Sequence, residues 1–263
     1  TGAKIEWFTY NAGPSAMEAV FANAIDLTYV GPNPALNAYS RSKGEEIRII
    51  AGAANGGAAL VVPADSTLKT PADFRGKRIA TPQLGNTQDV AARAWLANAG
   101  LRITQTGGDA LVLPTANPDQ LSLFTQGKLD GVWTVEPWVS RLEREAGGRV
   151  LIEQPDAVTT VLVASAKALA ERKSLVTKFA AAHRELTQWM RDNPAEAQRL
   201  VVSELKALTR SDVSPELVAA AWRRIVFTPD VTQAEMEAFV VDAKKVGFLR
   251  EVPALDRFVI PLP

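Results

Sequence analysis

Residues 17–34 and 120–137 carry the same local design. Each runs through a short helical periodicity, a tight turn, an aliphatic residue followed by Asp (Ile25-Asp26 and Leu129-Asp130), two further residues, an aromatic (Tyr29 and Trp133) and a proline-bearing stop. A unit used twice predicts two lobes built alike, and two lobes predict a cleft between them. At 263 residues the chain has the length for two modest domains.

Short β-branched runs alternate with helical stretches along the first two thirds. Strand character marks residues 4–9, 25–30, 47–50, 60–62, 78–81, 111–113, 129–133, 150–152 and 159–164. Ser15 with Glu18 predicts a capping box for the first helix. Asn33 reads as a helix cap with Pro34 at the first helical position. Asn86, with Asp89 three residues on, reads as the cap of a helix that stops before Gly100. Further helices are predicted over 118–126, 137–146, 174–190, 196–208, 215–225 and 233–245. Strands alternating with helices predict parallel sheets joined by right-handed crossovers. The polar, proline-bracketed stretch 63–71 marks a boundary, and 159–164 a return strand. The expected fold class is α/β, with two three-layer lobes joined by two hinge strands. Residues 1–63 plus 160–263 are expected to form a discontinuous first lobe, and 64–159 the second. Hinged lobes of this kind close on a ligand.

Composition removes several kinds of function. Lys plus Arg and Asp plus Glu balance at 29 each, so no basic footprint calls for a nucleic-acid partner. The chain has no cysteine, hence no disulfide, thiolate nucleophile or thiolate metal site. His183, the single histidine, falls mid-helix beside an apolar stripe and reads as a flanking or satisfied core residue. One His and no Cys exclude a Cys–His pair and a multi-His metal site. Walker A, G-x-S-x-G and G-x-G-x-x-G patterns are missing. No catalytic residue, metal ligand or cofactor is therefore assigned, and a binding protein is expected rather than an enzyme. No apolar run approaches the roughly 18 residues of a membrane span, and no signal peptide is visible in the chain. Residues 1–7 are already strand-like, so further residues are expected ahead of them.

In open sheets, ligands bind beyond the carboxyl ends of the strands. That rule selects the loops 30–33, 52–57, 81–87 and 134–136. They offer glycine N–H groups, Asn, Gln and Thr, with no Lys or Arg among them. Two lead into helix N-termini, where free N–H groups and the helix dipole favour an anion without a formal positive charge. Turn chemistry alone accounts for Gly and Asn in any single loop; several such loops at one edge of two sheets favour a site. The candidate ligand-binding residues are Tyr29, Gly31, Pro32, Asn33, Asn55, Gly56, Gln83, Gly85, Asn86, Thr87, Trp133 and Glu136. Tyr29 and Trp133 would wall the cleft, with core packing as the alternative. Glu136, just before Pro137, either meets a ligand amine or fixes the hinge. Asp26 and Asp130 are expected to hold turns through side-chain to backbone hydrogen bonds.

Several motifs also carry a likeness. They are Ala12-Gly13-Pro14-Ser15-Ala16-Met17-Glu18-Ala19, then Ile25-Asp26-Leu27 through Gly31-Pro32, and Leu60-Val61-Val62-Pro63. Phe74-Arg75-Gly76-Lys77-Arg78-Ile79-Ala80 and Leu129-Asp130-Gly131-Val132-Trp133 with Glu136-Pro137 complete the set. Their order and spacing over about residues 1–165 resemble the nitrate/sulfonate/taurine-type substrate-binding proteins of ABC importers. The resemblance implies a bilobed type II periplasmic binding protein fold. It implies a small anionic solute, such as an alkylsulfonate, taurine or nitrate, delivered to an ABC transporter permease. It implies a periplasmic or extracytoplasmic location behind a secretion signal, with lipid anchoring left open; a monomer is expected. It further implies a first strand and helix ahead of residue 1, without which the first lobe's sheet lacks a strand. The same family includes thiamine-pyrimidine precursor binders and an iron-dependent pyrimidine synthase. The synthase reading needs an active-site histidine and a cysteine-rich segment, which this sequence lacks. The alternatives are a thiamine-pyrimidine precursor binder, or a small-molecule lyase or synthase on the same fold with Glu136 as its acid or base.

Overall fold

The computed structural model describes residues 2–263. The chain opens with α1 (Gly13–Phe21), β1 (Leu27–Val30), α2 (Pro32–Arg41) and β2 (Ile47–Gly56). It continues through β3 (Ala58–Pro63), a 3-10 turn at Pro71–Phe74, β4 (Arg78–Thr81), α3 (Thr87–Asn98) and β5 (Leu111–Pro114). Next come α4 (Asn117–Thr125), β6 (Gly131–Val135), α5 (Trp138–Glu145) and β7 (Gly148–Glu153). It returns through β8 (Val158–Ser165) into α6 (Ala166–Glu171), α7 (Lys173–Asp192), α8 (Pro194–Thr209), α9 (Pro215–Trp222), β9 (Ile225–Phe227) and α10 (Gln233–Lys245).

The strands form two sheets, ordered β1-β8-β2-β9 and β5-β4-β6-β3-β7. The strand pairings of the first are all antiparallel and those of the second are mixed, where the alternating pattern predicts parallel sheets. β4 runs parallel to β5 and β6, but β3 is antiparallel to β6 and β7, and β8 is antiparallel to β1 and β2. The cause is the double crossing between sheets. β3 enters the second sheet with Ala58 opposite Val135, at the carboxyl end of β6, and runs away from that edge. β8 re-enters the first sheet beside Asn55, at the carboxyl end of β2, and does the same. Each crossing strand therefore opposes the strands that lead to the edge.

Sheet membership changes between Gly56 and Ala58, and again between Glu153 and Val158. The first crossing is earlier than the 63–71 connector marked from the sequence, because residues 58–63 pair within the second sheet. Gly56 and Gly57 have φ of 71° and 70°. A Cβ on Gly56 would lie 2.5 Å from the Arg224 carbonyl oxygen and 2.7 Å from that of Pro155, so only glycine fits.

Apolar side chains cover both faces of each sheet. Leu36, Tyr39, Ile47, Ile49, Val163 and Phe258 pack on one side of the first sheet, and Ile50, Leu162, Val176 and Ala180 on the other. In the second, Leu60, Phe74, Ile79, Leu96 and Trp133 fill one side, and Val61, Phe124, Val132 and Leu142 the other. This is the two-lobed, three-layer arrangement expected.

Four local expectations fail for identifiable reasons. Residues 4–10 have no regular secondary structure and pair with neither sheet, so the strand lacks a ladder of hydrogen bonds to join. α1 starts at Gly13, with proline in its first turn, so Ser15 lies inside the helix and makes no capping bond. α2 starts at Pro32 with Gly31 as its cap, which places Asn33 inside the first turn. Ile225 ends no helix; it begins β9, whose pairing with residues 54–56 overrides its helical context. The Asn86 cap forms as expected, its side chain accepting from Asp89 N at 2.8 Å.

Candidate functional site

The lobes meet across the carboxyl ends of their strands. Asn33 N donates to Thr87 Oγ1 at 3.3 Å, joining the start of α2 to the start of α3. Gln83 Nε2 donates to Ser15 Oγ at 2.8 Å, and Asn11 Nδ2 to the Pro82 carbonyl at 3.2 Å. On the flank, Lys245 of α10 meets Asn98 of α3, and the Phe248 ring faces Gly85 and the Arg93 guanidinium. These bonds bring the two lobes into a closed arrangement.

A cavity of about 730 Å³ lies between them and continues along the outer edge of β1. Its interlobe part is lined by Gly31, Gly56, Asn86, Thr87, Gln88, Asn117, Thr159 and Glu136. Its outer part carries Leu27, Tyr29, Leu175 and Phe179, with Lys4 and Arg172. Among the described residues, the interlobe part thus holds amides, hydroxyls, backbone and the Glu136 carboxylate but no Lys or Arg. Thr87 and Gln88, the first residues of α3, line it, and the free N–H groups of a helix's first turn favour negative charge.

α3 is held by a buried pair beneath its first turn. Asp89 accepts from Thr81 Oγ1 at 2.8 Å, Gly85 N at 2.9 Å and Arg93 Nε at 3.0 Å. Arg93 also donates to the carbonyls of Thr104 and Val112. Both side chains are essentially sealed from solvent, so Asp89 moulds the 81–86 loop while Arg93 cancels its charge.

Among the described residues, Glu136 is the one acid in the interlobe lining. Its Oε1 accepts from Ser140 Oγ at 2.9 Å and Arg224 Nη1 at 3.2 Å, and its Oε2 from Ser140 N at 3.1 Å. Burial raises its pKa above the usual carboxylate range; the bonds from Ser140 and Arg224 offset part of that rise. These donors leave Glu136 little capacity to hold a ligand amine, and favour the hinge role.

The structure places Tyr29, Gly31, Gly56, Asn86, Thr87 and Glu136 in the cavity lining. Tyr29 stands at its outer edge: its hydroxyl meets His183 Nδ1 at 2.9 Å, and burial of that end pushes the phenol up to about 12. His183 Nε2 in turn meets the Gly52 carbonyl at 2.8 Å, so the histidine is a satisfied core residue. Other candidates fall outside the cavity. Trp133 is 2% exposed and packs edge-on against Trp95 inside the second lobe, because its strand position faces α3. Asn55 belongs to the β2 ladder. Gln83 and Gly85 shape the lobe contact through Ser15 and Phe248. Pro32 and Asn33 are buried in the first turn of α2, and Asn33 lines a separate void of about 60 Å³ with an unpartnered Nδ2. Residues not foreseen include Asn11, Gln88, Asn117 and Thr159. Asn117-Pro118, after β5, repeats the strand-to-helix pattern that selected the other loops and carried a usable signal.

A profile of the NMT1-like family matches residues 1–205, well over half of the chain. The chain belongs to the NMT1-like family. It is 27% identical over 153 residues to the taurine-binding periplasmic protein of Escherichia coli K12, covering 58% of this chain and 45% of that protein. A putative aliphatic sulfonates-binding protein of the same organism matches at 28% over 159 residues, 59% of this chain and 47% of that one. The match therefore spans about half the length of these relatives. Among solved structures, the alkanesulfonate-binding protein SsuA of Xanthomonas axonopodis pv. citri, bound to MOPS, superposes with a TM-score of 0.78 at 20% identity. That superposition covers 98% of this chain and 88% of the other. A mutant of the desulfurization enzyme DszB, in complex with biphenyl-2-sulfinic acid, superposes with a TM-score of 0.64 at 18% identity, covering 95% of this chain and 87% of the other. At such identities both establish the fold alone, the periplasmic binding protein fold in the case of SsuA. Among the described residues no helix is long and apolar enough to cross a membrane.

Proposed function

We propose that this chain is the solute-binding part of an extracytoplasmic receptor. It would capture a small organic oxyanion, an alkanesulfonate or taurine in the first instance, and present it to an ABC transporter permease. One observation carries the reading: among the described residues, the interlobe part of the cavity is lined by amides, hydroxyls and the first turn of α3, with no cationic side chain and with its one carboxylate, Glu136, tied to Ser140 and Arg224. Such a lining suits a weakly hydrated anion that accepts several hydrogen bonds and needs no counter-charge. The named relatives bind taurine and aliphatic sulfonates, which supports the same solute class. The lobe limits proposed for this role lie at the two crossings, residues 56–58 and 153–158.

Calorimetric titration with taurine, ethanesulfonate, nitrate and methylphosphonate is the test. Saturable binding of a sulfonate is expected, with weaker binding of the dianionic phosphonate near Glu136. A folded protein that binds none of the four sinks the oxyanion reading. We read the site as non-catalytic, since the bonds that occupy Glu136 tie it to Ser140 and Arg224. Any turnover of a bound sulfonate that disappears in Glu136→Gln would reverse that.

A further inference from the structure

Arg224 stands where the chain crosses between the lobes. It follows α9 and leads into β9, the strand paired with Ala54, Asn55 and Gly56 at the end of β2. Its backbone carbonyl packs against Gly56. Its side chain reaches into the other lobe and meets three carboxylates there. Nη1 lies 3.2 Å from Glu136, Nη2 lies 2.9 Å from Glu143 of α5, and Nε lies 3.1 Å from Glu153 at the end of β7. The Glu136 side chain is 1% exposed, and its Cγ lies 3.6 Å from where a Cβ on Gly57 would sit.

A guanidinium presents its N–H groups in fixed directions within one plane. It can meet three carboxylates drawn from α5, β7 and the turn between β6 and α5 at one lobe angle only. Rotation about the 56–58 and 153–158 crossings moves α5 and β7 relative to β9 and separates the partners. Charge matters as well as geometry. Among the described residues, Glu136 is the one acid in the interlobe lining, and Arg224 is a cation beside it.

We infer that Arg224 is a positioning residue: a strut across the hinge that holds the lobes at the closed angle and screens Glu136 from a bound anion. The screening clause rests on the oxyanion reading above; the strut does not. The absence of cysteine makes the test direct, because two introduced cysteines carry spin labels without background. Lys43, exposed beyond the far end of α2, and Lys128, exposed ahead of β6, lie on opposite lobes away from the cleft. In the full chain bearing Lys43→Cys and Lys128→Cys, pulsed dipolar spectroscopy reads the lobe separation without ligand.

Arg224→Met is expected to lengthen and broaden that separation and to weaken ethanesulfonate binding about tenfold. Arg224→Lys keeps the charge but loses the fork. Its separation should shift as in the Met variant, while its affinity stays nearer wild type. Glu143→Gln with Glu153→Gln removes two partners, leaves Glu136 in place, and should shift the separation in the same direction; it serves if Arg224→Met does not fold. Unchanged separations in the folded variants, or a change confined to melting temperature, overturn the strut. If no sulfonate binds even the wild-type protein, the oxyanion reading and its screening clause fall together, and the separations alone still decide the strut.

Discussion

Replacing Gly31 with alanine should wedge the lobes apart. Gly31 has φ −70° and ψ 158°, ordinary extended backbone, so alanine brings no conformational strain. What it brings is a methyl group aimed across the cleft. The Cβ would lie 2.4 Å from Thr87 Oγ1, 3.4 Å from Thr87 Cβ and 3.6 Å from the Thr159 carbonyl oxygen. Gly31 caps α2 in one lobe and Thr87 opens α3 in the other, so the clash with Thr87 exists only in the closed form. Thr87 can escape by turning about χ1, but its hydroxyl then releases the Asn33 N–H. That lost bond costs about 1 kcal/mol, and a poorer rotamer adds a comparable amount at most. A penalty of roughly 1–2 kcal/mol confined to the closed form weakens binding about 5- to 30-fold. Calorimetric affinity for ethanesulfonate, read beside the label separation in the ligand-free protein, measures it. Thr87→Ala removes the offending oxygen, so the Gly31→Ala, Thr87→Ala double variant should bind like Thr87→Ala alone. Strictly additive losses in that cycle, or a Gly31→Ala variant that binds and closes like wild type, refute the interlobe contact.

Three further outcomes are expected. His183 is kept neutral by burial, which lowers its pKa, so below about pH 6.5 the unfolded chain takes up a proton that the folded site refuses. Stability should therefore fall as pH drops through that range, and His183→Gln should flatten the slope of melting temperature against pH; equal slopes would count against the buried neutral ring. Asp89→Asn strands the sealed Arg93 charge and should cost about 3–5 kcal/mol in denaturant unfolding, whereas a near-neutral result would mean that water reaches the pair. Trp133→Ala should cost about 3–5 kcal/mol of stability through the void it leaves in the second lobe, with sulfonate affinity retained in the folded protein. Lost affinity at unchanged stability would return Trp133 to the cleft wall.

Much of the architecture is readable from local signals. The Asn86 cap needs only a side-chain oxygen three residues ahead of an N–H, and it forms. Alternating β-branched runs and helical periodicities locate most of the elements, because burial of one face imposes the period. The loops at the strand ends follow from the same alternation, which is why Gly31, Gly56, Asn86 and Thr87 are legible as candidates without any geometry. Trp133 shows where that reasoning stops. Its place in the repeated unit matches Tyr29, yet one ring is sealed beneath Trp95 and the other stands 41% exposed at a sheet edge. Which face of a strand a neighbouring helix will cover is a property of the packed lobe, and sequence spacing does not encode it.

The repeated unit, the Asn86 cap and the absence of cysteine are properties of the chain alone. They point to two α/β lobes, a cleft between them and a chemistry without thiolates, since the pattern inside each copy and the cap itself involve residues close along the chain, and composition needs no geometry at all. The direction of β3 and β8, the burial of Asn33 and the three carboxylates around Arg224 rest on residues 70 or more positions apart in several cases, such as Arg224 and Glu153. Only the closed tertiary structure brings those together, because a contact across two hinge crossings depends on the lobe angle, and that angle is the summed result of every packing and hydrogen-bond preference in both lobes.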